Sequence, residues 1–212
     1  MNEERDIADF IRTSYYELFM SSHSSSLLSL WDPSCWNSGL KEDEATKLAV
    51  MISDEEIASA LWSLKAFKAS GPAGLHVGFF QHFWLLVGES VRKEVKQVFI
   101  SQTMPEYLNR TLITLIPKCN TLESLSNYRQ ISLCNTVYKI VTKVIMARIR
   151  PMLSNLVSPY QMAFVPCQKG VDNAIIVQEL FHIMSKKKGR GGFMTIKIDL
   201  EKAYECLEWS FI

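Results

Sequence analysis

The chain has 212 residues, 48% of them hydrophobic and 11% aromatic, enough for one domain with a real core and an appendage. A net charge of +1 hides an asymmetry: residues 1–60 carry 4 Lys/Arg against 12 Asp/Glu and residues 61–212 carry 19 against 10, so a polyanion would meet the second part. Five scattered cysteines without a C-x-x-C pair exclude a disulfide framework or zinc site, and the absence of a bilayer-length apolar run or signal peptide leaves a soluble, intracellular chain with no membrane partner as the expectation.

Taken in order, residues 3–20 place Ile7, Phe10, Ile11, Tyr15, Leu18 and Phe19 at helical spacing and predict an amphipathic helix. Ser21 to Ser29 is Ser-rich and reads as a linker. The acidic runs Glu42-Asp-Glu44 and Asp54-Glu-Glu56 mark helix N-termini, where carboxylates complement the dipole, rather than a metal site. Ser53 and Glu56 form a capping box ahead of Ile57, Ala60, Leu61 and Leu64, which share one face. Lys65 to Leu75 breaks that helix, with two glycines around Pro72. It reads as an ordinary turn, or as a loop whose N–H groups and Lys65 or Lys68 meet phosphate. Phe79 to Phe99 predicts one helix with a core stripe of Phe80, Phe83, Trp84, Val87, Val91, Val95 and Val98.

Leu112 to Lys118 reads as a strand stopped by Pro117, and Ile131 to Leu133 as a second. Together they predict a hairpin with Lys118 and Arg129 near its tip. Between Asn109 and Met152 stand seven basic residues, Arg110, Lys118, Arg129, Lys139, Lys143, Arg148 and Arg150, against one acid, Glu123. A basic hairpin backed by a basic helix suits a triphosphate or nucleic-acid backbone; a solvated basic face fits the same charges. Val137 to Leu153 is a helix by period, with Pro151 near its end. Ser158 to Asn173 is a loop with aromatic, amide and basic members, suited to a single strand, and Asp172 and Asn173 start a helix with Ile176, Leu180 and Met184. Lys186 to Gly192 is a basic loop.

Phe193 to Ile198 is apolar and β-branched and predicts a buried strand ending at Asp199. Leu200 to Trp209 reads as a turn into a short helix, and at the lip of a sheet the Asp199 carboxylate either caps that helix or holds a hard cation such as Mg²⁺.

Several of these stretches resemble, in order, the reverse transcriptase of plant LINE-type (non-LTR) retrotransposons. Lys197-Ile-Asp-Leu-x-Lys-Ala-Tyr-x-x-x-x-Trp209 is similar to the first catalytic motif of that family. Leu115-Ile-Pro-Lys-Cys119 with Asn127-Tyr-Arg-Gln-Ile-Ser-Leu-Cys-Asn-Thr-Val-Tyr-Lys139 is similar to its fingers hairpin. Lys65 to Leu75 resembles its Lys-Ala-Pro-Gly-Pro-Asp-Gly segment, and 158–173 its template-contacting segment. The resemblance implies that Asp199 and the Leu200 carbonyl bind catalytic Mg²⁺. It implies that Lys118 and Arg129 grip the nucleotide's phosphates and that Tyr204 lies under its sugar. Gln161 and Phe164 would contact template. RNA template, DNA primer and dNTP are the implied partners.

Departures are Ser70, Ala73, Gln130, Cys167, Gln168 and Glu205. The implied fold is α+β: an incomplete right-hand polymerase with mostly helical fingers, a β-hairpin and the first palm strand. Residues 1–52 would be a connector helix and linker, and 53–212 the fingers and the start of the palm. Two metals need more than one carboxylate, and the chain contains no Asp-Asp pair. The expectation is a fragment of an RNA-directed DNA polymerase that does not polymerise alone. The alternatives are a non-catalytic nucleic-acid-binding module and an inert degenerate product.

Overall fold

Ser53 stops the chain in an extended conformation (φ −90°, ψ 162°) and starts a helix with its side chain. Its Oγ accepts the Glu56 N–H at 3.2 Å, and Glu56 Oε2 accepts the Ser53 N–H at 2.9 Å, so two otherwise unpaired donors are satisfied reciprocally. The computed structural model describes residues 3–20, 39–121, 124–157, 161, 165, 169–187 and 192–198. They divide between two compact units, Ser38–Asn173 and a second made of Met1–Asn37 with Ala174–Ile212.

The first unit is a small helical core with a hairpin attached. Its helices are α2 (Glu42–Ala49), α3 (Asp54–Ser63), α4 (Val77–His82), α5 (Trp84–Ser101), α6 (Glu106–Asn109), α7 (Thr136–Ile149) and α8 (Leu153–Leu156). Acidic first turns in α2 and α3 confirm that both acidic runs begin helices. Ile57, Ala60 and Leu61 of α3, Val91, Val95 and Val98 of α5, and Ile140, Val141 and Val144 of α7 are buried together, with Val77 and Leu108 from the short helices. Asp54 accepts from Lys96 Nζ at 2.6 Å and so ties the start of α3 to α5.

Two helix boundaries differ from the periodic reading. The helix expected over 79–99 breaks at Phe83, which caps α4 and begins α5 with φ −100° and ψ 24°. Of the expected stripe, Val91, Val95 and Val98 are core and Phe80 and Trp84 pack against it, while Phe83, at the break, is exposed. The helix expected over 137–153 ends at Ile149, where a 3-10 turn, Arg150–Met152, takes over. Pro151 has no N–H to continue the α-helical ladder.

Strands β1 (Thr111–Pro117) and β2 (Tyr128–Cys134) form the antiparallel hairpin, in register from Thr111 opposite Cys134 to Pro117 opposite Tyr128. β2 runs through Asn135 directly into α7. The loop at 71–74 packs on that junction. Gly74 N–H donates to the Gly71 carbonyl at 3.0 Å, closing a turn with Pro72 in second place and Gly74 left-handed at φ 73°. A Cβ on Gly71 would lie 2.4 Å from the Cys134 carbonyl carbon and 2.5 Å from the Asn135 nitrogen. Both are backbone atoms, so the site admits hydrogen alone.

Arg148 holds the other end of α7. It is 13% exposed and forks onto Glu56, Nε to Oε1 at 2.7 Å and Nη2 to Oε2 at 2.8 Å. Its Nη1 donates to the carbonyls of Leu48, at 3.2 Å, and Val50. One guanidinium thus joins the end of α2, the start of α3 and the end of α7.

In the second unit, α1 (Glu3–Phe19) confirms the first helix; α9 (Gly170–Lys186), which belongs to that unit from Ala174 on, confirms the helix read from Asp172, starting two residues earlier. Ile7, Phe10, Ile176 and Leu180 are exposed. Residues 192–198 carry no regular secondary structure, contrary to the strand expected over Phe193–Ile198, and Phe193, Met194, Ile196 and Ile198 are exposed. Among the described residues no other segment pairs with them, and an unpaired apolar run does not make a strand.

Two expectations follow. Arg148 holds the Glu56 carboxyl below the usual glutamate range by hydrogen bonding to its charged form. A depressed carboxylate stabilises the fold above the ordinary range and loses that contribution as pH falls through the folded value. Glu56→Gln keeps an acceptor for Ser53 but removes the charge. Because the Glu56 side chain is 37% exposed and solvent screens the pair, the change should cost about 1 kcal/mol at neutral pH and flatten the acid limb of stability in urea melts. An unchanged acid limb would show that the pair is not formed in solution. Gly71→Ala should destabilise by about 1–3 kcal/mol in the same melts, because backbone must move; a wild-type midpoint would contradict the packing of the loop on the junction.

Candidate functional site

The hairpin tip is built from its own hydrogen bonds. Lys118 N–H donates to the Asn127 carbonyl at 2.8 Å, extending the ladder one step beyond Pro117. Lys118 Nζ crosses the tip to the Ser126 carbonyl at 2.9 Å. Asn127 Nδ2 and Cys119 Sγ both donate to the Thr121 carbonyl, at 3.3 and 3.0 Å.

This register decides what faces what. Arg129 lies opposite Ile116, and side chains two apart along a strand share a face, so Lys118 lies diagonally beside Arg129 on the same face. Both are exposed. Arg129 makes no ion pair among the described residues, and its five donors form a fork that fits phosphate. The Lys118 ammonium spends one of its three donors on Ser126 and keeps two. The expected hairpin with a basic tip is therefore present, and Lys118 and Arg129 are brought together.

The helix behind it is less basic in effect than its composition. Arg148 is consumed by Glu56, Leu48 and Val50. Arg110 pairs with Glu106 at 3.1 Å, and Lys139 Nζ donates to the Ala69 carbonyl at 3.2 Å. At about 100° per residue, Lys139 and Lys143 share one flank of α7 and Arg148 lies on another. The basic helix thus contributes two lysines to a common face rather than three charges.

Asn135 decides where the tip stands, and sequence reasoning missed it. It is buried where β2 becomes α7. Its Oδ1 accepts the Ala73 N–H at 2.9 Å, and its Nδ2 donates to the carbonyls of Tyr107, at 3.0 Å, and Leu108, at 3.4 Å. Thr136, also buried, donates to the Leu75 carbonyl at 2.9 Å. The N–H of Ala73 is thereby spent inside the protein, so the 71–74 turn is a support for the hairpin base, in line with the simpler reading of that loop. An Asn before a helix signals a cap. Here it makes no cap bond and reaches a loop 62 positions upstream, which periodicity does not reveal.

Of the remaining expected site residues, Gln161 is exposed and outside regular secondary structure. Phe164, Asp199, Leu200 and Tyr204 lie outside the described residues. Among the described residues no three His, Cys, Asp or Glu side chains form a group that could hold a metal ion, and no helix is long and apolar enough to cross a membrane.

Comparison with known proteins finds similarity that includes the hairpin. A family profile described as "Reverse transcriptase (RNA-dependent DNA polymerase)" matches residues 116–212. The whole chain is 28% identical, over 217 aligned positions, to the Transposon TX1 uncharacterized 149 kDa protein of Xenopus laevis. The chain spans 16% of that relative's length. The profile match begins at Ile116 and so takes in Lys118, Arg129 and the whole of β2.

If the tip meets phosphate, Lys118→Ala and Arg129→Ala should each weaken RNA binding and lower the log–log salt slope by about 1. Filter binding across a salt series reads both; unchanged slopes would place the RNA elsewhere.

Proposed function

We propose that the chain is the fingers and first palm segment of a reverse transcriptase from a non-LTR retrotransposon of the plant LINE type. The observation that carries this reading is the pairing of Lys118 and Arg129 on one face of a hairpin tip, within the stretch that matches reverse transcriptases. Such a tip offers a fork and a point charge to adjacent phosphates of a nucleoside triphosphate. RNA template and DNA primer are the partners of the same reading. Asp199, with the Leu200 carbonyl, is the proposed seat of Mg²⁺, and Tyr204 the proposed floor under the nucleotide sugar. Gln161 and Phe164 are the proposed template contacts. When bound, divalent metal would polarise the transferred phosphoryl group.

What the described residues contribute is binding and placement. Lys118 and Arg129 neutralise phosphate charge, and the Asn135 junction sets their distance from the helical core. The sequence holds no Asp-Asp pair to join Asp199, so the proposal includes that this chain does not extend a primer by itself. A second reading, a nucleic-acid-binding module without catalysis, rests on the same exposed cations and needs no metal.

Primer extension on an RNA template with Mg²⁺ separates the two claims from their opposite. The expected result is RNA binding without extension. Extension that vanishes in Asp199→Asn would overturn the claim of inactivity, and no binding at low salt would overturn the family reading of this chain's role.

A further inference from the structure

The break at Phe83 opens a surface that the polymerase reading leaves unused. Trp62, Phe67, His76, Phe79, His82 and Phe83 line an open cavity of about 700 Å³ between the end of α3 and the α4–α5 break. Its aromatic rings are not a core. Phe67 is 89% exposed, and Trp62 and Phe83 are also exposed. Leu85, beside Phe83, is 100% exposed. Apolar surface of this size, gathered rather than scattered, marks an interaction site.

The rings are held in place by one another. Phe79 lies 5.1 Å from Phe83 and 5.4 Å from Phe80, and His82 meets Phe83 edge-on at 4.7 Å. Phe67 lies against His76 at 5.7 Å. His76 Nδ1 accepts the Phe79 N–H at 3.2 Å, so the neutral ring carries its proton on Nε2 and presents a donor there. Gln81 donates to the carbonyls of Leu61 and Leu64, both at 3.1 Å, which fixes the cavity wall on α3.

The charge around the cavity selects the occupant. No Asp or Glu lines it. Phe67 stands between Lys65 and Lys68, both exposed, and Lys139 reaches the Ala69 carbonyl of the same loop. Aromatic faces with no acid among them, one of them flanked in sequence by two exposed lysines, fit a base with its phosphate. They fit an apolar peptide less well, since nothing there would use the lysines.

We infer that the cavity between Trp62 and Phe83 stacks a base of single-stranded RNA, with Lys65 and Lys68 on the adjoining phosphates. The inference rests on the reading of the chain as a nucleic-acid-binding polymerase segment, and it assigns a second contact on the helical side, apart from the hairpin tip. A strand held there would be gripped by its bases, whereas the tip grips phosphate.

The test is binding of labelled single-stranded oligo(U) and of duplex RNA of equal length to the full chain. Phe67→Ala should weaken oligo(U) binding about fivefold or more with its salt slope unchanged, and should leave duplex binding unaltered, because stacked bases offer no free face. Phe67 is too exposed for its truncation to unfold the chain, and Phe67→Trp should restore the affinity. Lys65→Ala with Lys68→Ala should lower the salt slope instead. Oligo(U) should quench tryptophan emission in the wild type and less so in Trp62→Phe. Wild-type oligo(U) binding by Phe67→Ala, or an equal loss on duplex, would overturn the inference while leaving the hairpin reading standing if Lys118→Ala still weakens binding. Occupation of the cavity by an apolar peptide with no effect of oligo(U) on Trp62 would overturn it too. No RNA binding of any kind would overturn both.

Discussion

The approach of Gly71 to the backbone of Cys134 and Asn135 is the constraint on which the rest of the first unit depends. The hairpin packs chiefly on itself and joins the helices at its base. From Thr111–Cys134 to Pro117–Tyr128 its ladder runs roughly 20 Å, at about 3.4 Å per residue. A small rotation at the base therefore becomes a large displacement at Lys118 and Arg129. The base resists rotation because Asn135 holds Ala73 on one side and Tyr107 and Leu108 on the other, while Thr136 holds Leu75. A side chain on Gly71 would push that assembly apart before it touched any other residue. Tip placement is thus decided by a contact with no charge in it.

The distribution of charge follows a different logic. Basic residues along 110–150 look like one electrostatic feature in the sequence, yet they divide into two kinds in the fold. Arg148 is half-buried and held by Glu56 and two carbonyls, and a fork with its donors spent this way fixes geometry rather than attracting a ligand. Arg129 and Lys118 are exposed and keep unused donors. Local context, not composition, decides which cation is structural. The same holds for the acids: Glu56 completes a cap, receives Arg148 and is no candidate for metal.

Much of this was legible in the sequence where a signal is local. The Ser53–Glu56 box, the acidic helix starts and the hairpin with its basic tip all depend on neighbours within a few residues, and all are found. The resemblance to reverse transcriptases likewise rests on short runs, and the profile match covers the run from Ile116 onward. What escaped is non-local. Asn135 reads as a cap but serves a loop far upstream, and Arg148 reads as part of a phosphate surface but closes on Glu56, 92 positions away. Phe83 sits in an unbroken helical period, so nothing in the pattern announces the break, which leaves Phe83 alone of the expected core stripe exposed.

Phe193–Ile198 shows the limit from the other side. Its β-branched alternation is a strong strand signal, but a strand is a relation between two segments. The backbone groups of a central strand need a neighbour on each edge, and its apolar side chains need a layer to cover them. In β1 and β2 the partner is supplied ten residues away through a tip that closes itself, so the signal and the structure coincide. For Phe193–Ile198 the described residues supply none, and the segment keeps its apolar side chains in water. The physical difference between the two stretches is therefore contact order, not propensity. A hairpin pays for its own closure within a short loop, whereas a palm-like strand forms only when distant segments meet it. The same reasoning applies to the two proposed contacts for nucleic acid. The basic tip and the aromatic cavity both draw on residues within 53–139, where each contact closes locally.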